Sequence, residues 1–157
     1  MARVPESIAR FLQGKRIAVA GVSRKGDTAA NAVFKKLRDS GYDAVPINPH
    51  TSSVEGTACY PSIASIRGPV DGVIVATHPN ASLQVVRDAL DRGVKQIWFH
   101  RSFGQGSVSQ QAIDECTHRG VTPIVGGCPL MYCEPVDVGH RCMRGWLSWR
   151  GQLPSTG

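Results

Sequence analysis

A repeated pattern of polar helix, glycine and short apolar run divides the chain into similar units. It occurs three times, in LRDSGYDAVPIN, LDRGVKQIWFH and THRGVTPIVGG. Gly41, Gly93 and Gly120 stand where a helix would end, because glycine adopts the left-handed conformation after a helix without steric cost. The run after each glycine is short and almost continuously apolar, as in a buried parallel strand. The residues before each glycine have apolar positions at helical spacing.

From one end to the other, this pattern predicts a single α/β domain. The predicted elements are an N-terminal helix at 5–13, strands at 16–20, 42–47 and 70–76 and in QIWF and TPIV, a helix at 28–40, a helical turn near Ile63 and two further helices. Ser107 and Gln110 are spaced as a capping box for the last of these helices. Alternating strands and helices form a parallel sheet covered on both faces. We expect a doubly wound, Rossmann-like sheet of five parallel strands in the order 3-2-1-4-5.

The C-terminal segment predicts one more short helix. In VGHRCMRGWLSW, the residues Met143, Trp146 and Leu147 form an apolar stripe and the arginines lie elsewhere. We expect the stripe to pack on the parent domain, and a homodimer contact is the alternative. The expected organisation is a domain over 1–137, followed by a C-terminal helix and tail over 138–157.

Ligands of doubly wound sheets bind beyond the carboxyl ends of the strands, at the point where the strand order reverses. This rule selects the loops 21–28, 48–51, 77–80 and 100–106. The first of them has the spacing of the dinucleotide fingerprint G-x-G-x-x-G, but Ser23 replaces the second glycine. Backbone N–H groups at such a turn attract phosphate, and Arg24 and Lys25 add positive charge. An ordinary turn with a solvated basic pair, capped by Asp27 or Thr28, is the alternative.

The end of the second strand argues against a nicotinamide or flavin dinucleotide. Proteins that bind NAD or FAD normally place Asp or Glu there, where it holds the ribose hydroxyls. This chain has Asn48, Pro49 and His50 in VPINPH, and no carboxylate. An NAD(P)-binding enzyme that needs a partner chain is therefore the weaker alternative.

Composition and charge narrow the classes of partner. The net charge of +6 and the pI of about 9.4 favour an anionic ligand. The basic residues are scattered along the chain, so nucleic acid is not favoured. No apolar run reaches the ~18 residues that a membrane span needs, and the N-terminus lacks the apolar segment of a secretory signal. Five cysteines at irregular spacing are expected to be free thiols, which predicts a cytoplasmic protein.

Four segments in series resemble a known family: VAGVSRKGDTAANAVFKKLRDSGY, PINPH, ACYPSIASIRGPVDGVIVATHP and IWFHRSFG. From about Ile17 to Cys128 the chain is similar to the stand-alone CoA-binding proteins. These are small Rossmann-like domains that resemble the N-terminal domain of the succinyl-CoA synthetase α-subunit. The resemblance implies that the ligand is coenzyme A or an acyl-CoA, bound at the carboxyl ends of the strands.

The resemblance also implies which residues contact the ligand. Gly21, Val22 and Ser23 would lie against the phosphates or the pantetheine, and Asn48 and Pro49 would border the adenosine. The third strand would contribute Thr77, His78 and Pro79, and the fourth would contribute His100 as a ligand contact. Relatives often have Lys or Arg after the Asn-Pro pair, where it suits the ribose 3′-phosphate. This chain has His50 there, so Arg24 or Lys25 substitutes for that charge or the affinity is lower.

No catalytic arrangement stands out in the sequence. The phosphorylated histidine of succinyl-CoA synthetase lies in a second domain that this chain lacks, so none of the five histidines inherits that role. No Ser-His-Asp order or paired carboxylate pattern is present. We therefore expect a CoA-binding module without catalysis of its own, beside a partner enzyme. A CoA-ligating enzyme component completed by a partner chain is the alternative.

The cysteines near the C-terminus offer a second chemistry, a zinc site. Four candidate ligands lie within a short segment: Cys128, Cys133, His140 and Cys142. Their spacing matches no common zinc motif, so we favour free thiols that fill space, with Cys128 beside the ligand cleft.

Overall fold

The structure is a computed structural model that describes residues 3–101, 106–134, 138–151 and 153–154. Five α-helices and seven strands follow one another in the described residues. They are α1 (Glu6–Phe11), β1 (Arg16–Ala20), α2 (Ala29–Asp39), β2 (Asp43–Ile47), β3 (Ser53–Val54), β4 (Thr57–Ala58), β5 (Gly72–Val75), α3 (Pro79–Asp91), β6 (Gln96–Phe99), α4 (Gln110–His118), β7 (Ile124–Val125) and α5 (Val138–Trp149). Short 3₁₀ turns occupy Ile63–Ser65 and Pro129–Met131. No helix among the described residues is long and apolar enough to cross a membrane.

The predicted fold class is confirmed, because five parallel strands form one sheet in the order β2-β1-β5-β6-β7. The predicted order 3-2-1-4-5 is wrong. Counted along the chain without the short β3–β4 hairpin, the order is 2-1-3-4-5. The strand that was expected outside β2 instead pairs with β1, with Ile17 opposite Gly72. Both orders are doubly wound, and in the observed order the reversal lies between β1 and β5.

The segment between β2 and β5 explains the difference in strand order. It contains no α-helix, only the hairpin β3–β4 and the 3₁₀ turn at Ile63–Ser65. Tyr60 lies along the outer edge of β2, where its N–H donates to the Pro46 carbonyl (3.0 Å) and its carbonyl accepts from Asn48 N–H (2.9 Å). The outer edge of β2 is thus covered by this segment, and the wholly buried β5 takes the central place beside β1.

The helix caps agree only in part with expectation. Thr28 caps α2, since its hydroxyl accepts from the backbone N–H of Asn31 (3.2 Å). The cap of α4 is Ser109, which accepts from Ala112 N–H, and the expected capping box on Ser107 is wrong. Ser107 is buried and its hydroxyl donates to the carbonyl oxygens of Val75 and His100. Ser107, two residues before the cap, therefore links the end of β5 to the end of β6 through these two carbonyl groups.

Trp98 on β6 is the centre of the core on the face covered by α1 and α2. Its ring is fully buried, meets the edge of Phe11 at 5.4 Å and lies 6.0 Å from the ring of Tyr132. The indole N–H donates to the carbonyl oxygen of Gly126 (2.9 Å). One side chain thus links the N-terminal helix, the sheet and the segment after β7.

The predicted C-terminal helix is present as α5. Leu147 is buried in the same core cluster as Tyr132, and Arg144 donates to the Met131 carbonyl (3.1 Å). The helix therefore packs on the domain through Leu147 and Met143, as expected for these two residues but not for Trp146. Trp149 is 84% exposed and Trp146 is 43% exposed. The homodimer contact and the boundary between 1–137 and 138–157 stay predictions.

Substituting Trp98→Phe should lower the free energy of unfolding by about 2–4 kcal/mol, because it leaves a cavity and an unpaired Gly126 carbonyl. The matched control is Trp149→Phe, on an exposed ring, which should change stability by less than about 0.5 kcal/mol. Urea unfolding of the three proteins measures both effects. Equal stability of the two variants would contradict the central place given to Trp98.

Candidate functional site

The loops after β1, β2 and β5 converge at the carboxyl edge of the sheet and enclose a cavity of about 560 Å³. Most of the predicted ligand contacts line it: Gly21, Val22, Ser23, Asn48, Pro49, His50, Thr77 and His78. The segment 61–63 and the helix α3 complete the wall. Many of the lining side chains are apolar, among them Ile47, Ile63 and Val85.

A smaller cavity of about 210 Å³ adjoins the first, and positively charged side chains line it. Arg24, Lys25 and Thr51 line it, together with three residues that the two cavities share, Ser23, Asn48 and His50. Arg24, Lys25 and His50 are exposed. No carboxylate is among the residues that line this smaller cavity. It suits an anion beside a larger, more apolar compartment.

Two predicted contacts, Pro79 and His100, do not line either cavity. Pro79 is the first residue of α3, behind its cap His78, whose Nδ1 accepts from Asn80 N–H (3.4 Å). His100 follows β6, one strand further along the sheet, and its N–H donates to the Val75 carbonyl (2.9 Å). Burial lowers the pKa of the His100 imidazole, which favours its neutral form.

Two buried hydroxyls, those of Ser82 and Ser107, link the end of β5 to the backbone at His100. The Ser82 hydroxyl donates to the Ser107 carbonyl (2.7 Å) and lies 3.0 Å from the Thr77 hydroxyl. The Ser107 hydroxyl donates in turn to the carbonyl oxygen of His100 (3.1 Å). These hydrogen bonds fix the loop after β5 to the loop after β6, and they hold Thr77 at the cavity.

Gly21 allows the loops after β1 and β5 to touch. Its φ is +106°, and a Cβ at this position would lie 2.4 Å from the Ala76 carbonyl oxygen. A real Cβ does not approach a backbone oxygen so closely, so only glycine fits here. The predicted need for glycine at this turn is explained by the neighbouring strand as well as by the turn itself.

The first loop does not offer the Ser23 backbone to a ligand. Ser23 N–H donates to Asn31 Oδ1 (2.7 Å), and Asn31 Nδ2 donates to the Ser23 carbonyl (2.7 Å). The Ser23 hydroxyl accepts from Lys25 N–H (3.2 Å). The expectation that this turn presents free N–H groups therefore fails at Ser23 and Lys25, whose groups bond within the protein.

Sequence reasoning missed Asn31. It lies on α2 between Ala30 and Val33, and it is fully buried with them. A polar residue on the apolar face of an amphipathic helix is the signal that could have found it, since buried polar groups are paired.

Asn48 joins the first and second loops. Its Nδ2 donates to the Val22 carbonyl (2.7 Å), and its Oδ1 accepts from His50 N–H (2.7 Å). Its amide is thus engaged on both sides, and its place in the cavity wall is fixed by these bonds. Asparagine suits this role because one amide both donates and accepts.

The zinc alternative finds no support in the described residues, where no three metal-ligating side chains come together. Cys128 and Cys133 are buried in the core that contains Trp98, whereas Cys142 is exposed on α5. The expectation that Cys128 lies beside the ligand cleft is wrong, since Cys128 lines neither cavity.

A parallel doubly wound sheet with a cavity at its reversal point is the architecture of a Rossmann-like α/β domain. A family model described as "CoA binding domain" matches residues 15–134, so the chain belongs to that family.

Comparison with individual proteins agrees with this family assignment. The uncharacterized protein YneT of Bacillus subtilis (strain 168) is 30% identical over 116 residues, which cover 74% of this chain and 83% of that protein. The α subunit of the acetate–CoA ligase (ADP-forming) II of Pyrococcus furiosus is 26% identical over 122 residues. These cover 74% of this chain but only 27% of the ligase subunit. The structure of a hypothetical protein from Pyrococcus horikoshii OT3 matches with a TM-score of 0.71 at 27% identity, over 82% of this chain and 92% of that one.

Substituting Gly21→Ala should lower the free energy of unfolding by about 3 kcal/mol or more, because the Cβ meets the Ala76 backbone and φ is unfavourable. The matched control is Gly41→Ala, where φ is +92° but nothing lies within 4 Å. It should cost only about 1–2 kcal/mol. Chemical denaturation gives both values, and equal losses would show that the contact between the loops is not tight.

Proposed function

We propose that the chain binds coenzyme A across the two adjoining cavities. The phosphates lie in the smaller one, near Arg24, Lys25 and His50, and the adenosine and pantetheine extend along the larger one. The adjacency of a cationic compartment and a larger, more apolar one at the carboxyl edge carries this proposal. Membership of the CoA-binding family supports it independently.

The charge of the smaller cavity favours a phosphorylated ribose. A site for NAD holds the ribose hydroxyls with a carboxylate at the end of the second strand. Here the lining residues at that place are Asn48, His50 and Thr51, next to the two cations of the first loop. A 3′-phosphate gains from Arg24 and Lys25, and a carboxylate would repel it. In this proposal the first loop supplies the charge that relatives place after the Asn-Pro pair.

The rest of the ligand follows the cavity wall. Asn48 and Pro49 border the adenosine, and Thr77 and His78 border the ligand where it crosses the end of β5. Gly21, Val22 and Ser23 form the floor between them. Pro79 contributes by starting α3 after its cap His78. His100 contributes through its backbone N–H, which donates to the Val75 carbonyl at the end of β5.

As to biological role, we propose a binding module that presents coenzyme A or an acyl-CoA to a partner enzyme in the cytoplasm. The chain corresponds to about a quarter of the matched ligase subunit. A CoA-ligating component whose remaining domains lie on a partner chain is the second candidate, and the same observation favours it. None of the five cysteines, all of which the structure describes, forms a disulfide, which suits a reducing compartment.

Thermal unfolding with CoA, acetyl-CoA, NAD, NADP and ATP tests the ligand class. At about 100 times its dissociation constant, a ligand of the folded state stabilises by about 2.7 kcal/mol. CoA and acetyl-CoA should raise the melting temperature, and NAD and NADP should not. A shift with NAD or NADP alone would overturn the proposal.

Replacing both Arg24 and Lys25 by Ala should weaken CoA binding by about tenfold or more and reduce its dependence on salt. The matched control is Lys95→Ala, an exposed cation at the opposite end of the sheet, which should bind as the wild type does. Calorimetric titrations with CoA and dephospho-CoA at two salt concentrations measure this. If the double variant loses affinity for CoA and dephospho-CoA equally, the two cations do not serve the 3′-phosphate.

A further inference from the structure

Three side chains of helix α2 contact the turn of the β3–β4 hairpin. Asn31, Lys35 and Arg38 lie on one helix face, at spacings of four and three. Asn31 Nδ2 donates to Glu55 Oε1 (3.1 Å), Lys35 Nζ lies 3.8 Å from the same oxygen, and Arg38 donates to the Glu55 carbonyl (2.9 Å). Glu55 is held in the left-handed region at φ +50°. The turn is thus fixed to the helix by three side chains.

The same Asn31 also holds the first loop. Its Oδ1 accepts from Ser23 N–H (2.7 Å) and from the Thr28 hydroxyl (2.6 Å), and its Nδ2 donates to the Ser23 carbonyl (2.7 Å). With the bond to Glu55, both amide hydrogens and both acceptor positions of the oxygen are used. This side chain is fully buried and fully paired.

Glu55 decides which way the Asn31 amide points. Ser23 N–H needs an acceptor, and the Ser23 carbonyl takes a second donor beside Gly26 N–H (3.3 Å). An asparagine amide supplies both from one plane. A carboxylate accepts only, so it attracts the NH₂ end and repels the oxygen end. A flipped amide would place oxygen against the Glu55 carboxylate and against the Ser23 carbonyl. The hairpin therefore selects the orientation that fits the loop.

We infer that Asn31 is the positioning residue of the ligand loop and that Glu55, outside both cavities, sets it through the Asn31 amide. This inference rests on the proposed binding of CoA at the same loop. It makes the β3–β4 hairpin part of the binding apparatus, although no residue of the hairpin lines either cavity.

The first test is Glu55→Gly. Glycine suits the positive φ, so the turn is kept and only the side chain is lost. CoA affinity should fall about 3- to 10-fold, and the conservative Glu55→Gln, whose amide oxygen still accepts from Asn31, should recover it. Calorimetric titration measures both. Unchanged affinity in Glu55→Gly would overturn the inference.

The second test is Asn31→Asp, which places a carboxylate against Glu55. Two close carboxylates raise the pKa of the pair, so one proton is bound at low pH and lost as the pH rises. CoA affinity of this variant should be at least tenfold below wild type at pH 8 and recover towards pH 5. Adding Glu55→Gln, whose amide donates to the new carboxylate, should lower the pKa of that carboxyl and so extend the recovered affinity to higher pH. A variant that binds like the wild type at every pH would overturn the inference.

A readout without ligand separates this inference from the proposed function. In Asn31→Asp, the amide resonances of Ser23 and Gly26 should move with the titration of the carboxyl pair, and those of Gly41 should not. If the wild type fails to bind CoA but these resonances titrate, the proposed function is wrong and Asn31 still sets the loop. If they do not titrate, Asn31 does not position Ser23.

Discussion

The backbone at Gly21 lies so close to the backbone at Ala76 that no side chain fits between them. This contact exists because β1 and β5 are neighbours in the sheet, paired from Ile17 to Ala20. It brings the loop after β1 against the loop after β5, and β2 brings the loop 48–51 to the other side. The cavity is the space that these three loops leave at the reversal of strand order.

The loops are then fixed by hydrogen bonds within the protein. Asn48 joins the second loop to the Val22 carbonyl, Asn31 holds both polar groups of the Ser23 backbone, and buried hydroxyls fix Thr77. A ligand that enters such a site has little loop entropy to overcome, which favours affinity. The cost is that fewer backbone donors remain for a phosphate. Cationic side chains at the rim therefore carry more of the recognition than the glycine-rich turn alone would suggest.

The strands, the helices and the position of the site follow from local patterns in the sequence. Glycines after polar helices and short apolar runs located all five strands of the main sheet, and the rule for doubly wound sheets selected the loops that line the cavity. The strand order did not follow, because a short apolar run such as VIVA does not show whether its strand lies at the edge of the sheet or beside β1. What decides it is the non-helical segment around Tyr60, whose bonds to β2 are long-range. Asn31 was missed for a similar reason, since tertiary contacts bring it together with its partners Ser23 and Glu55.

The corrected strand order also explains how the predicted contacts on β5 reach the first loop. In the order 3-2-1-4-5, the end of β5 would lie beyond β2, about two strand spacings or ~10 Å from β1. Thr77 and His78 would then be separated from Ser23 by the loop 48–51. In the observed order they face Ser23 directly, and the loop 48–51 lies on the far side with His50 beside Arg24 and Lys25. The topology thus separates the two parts of the site. The loop after β5 lines the larger, more apolar compartment, and the loops after the neighbouring strands β1 and β2 together line the positively charged one.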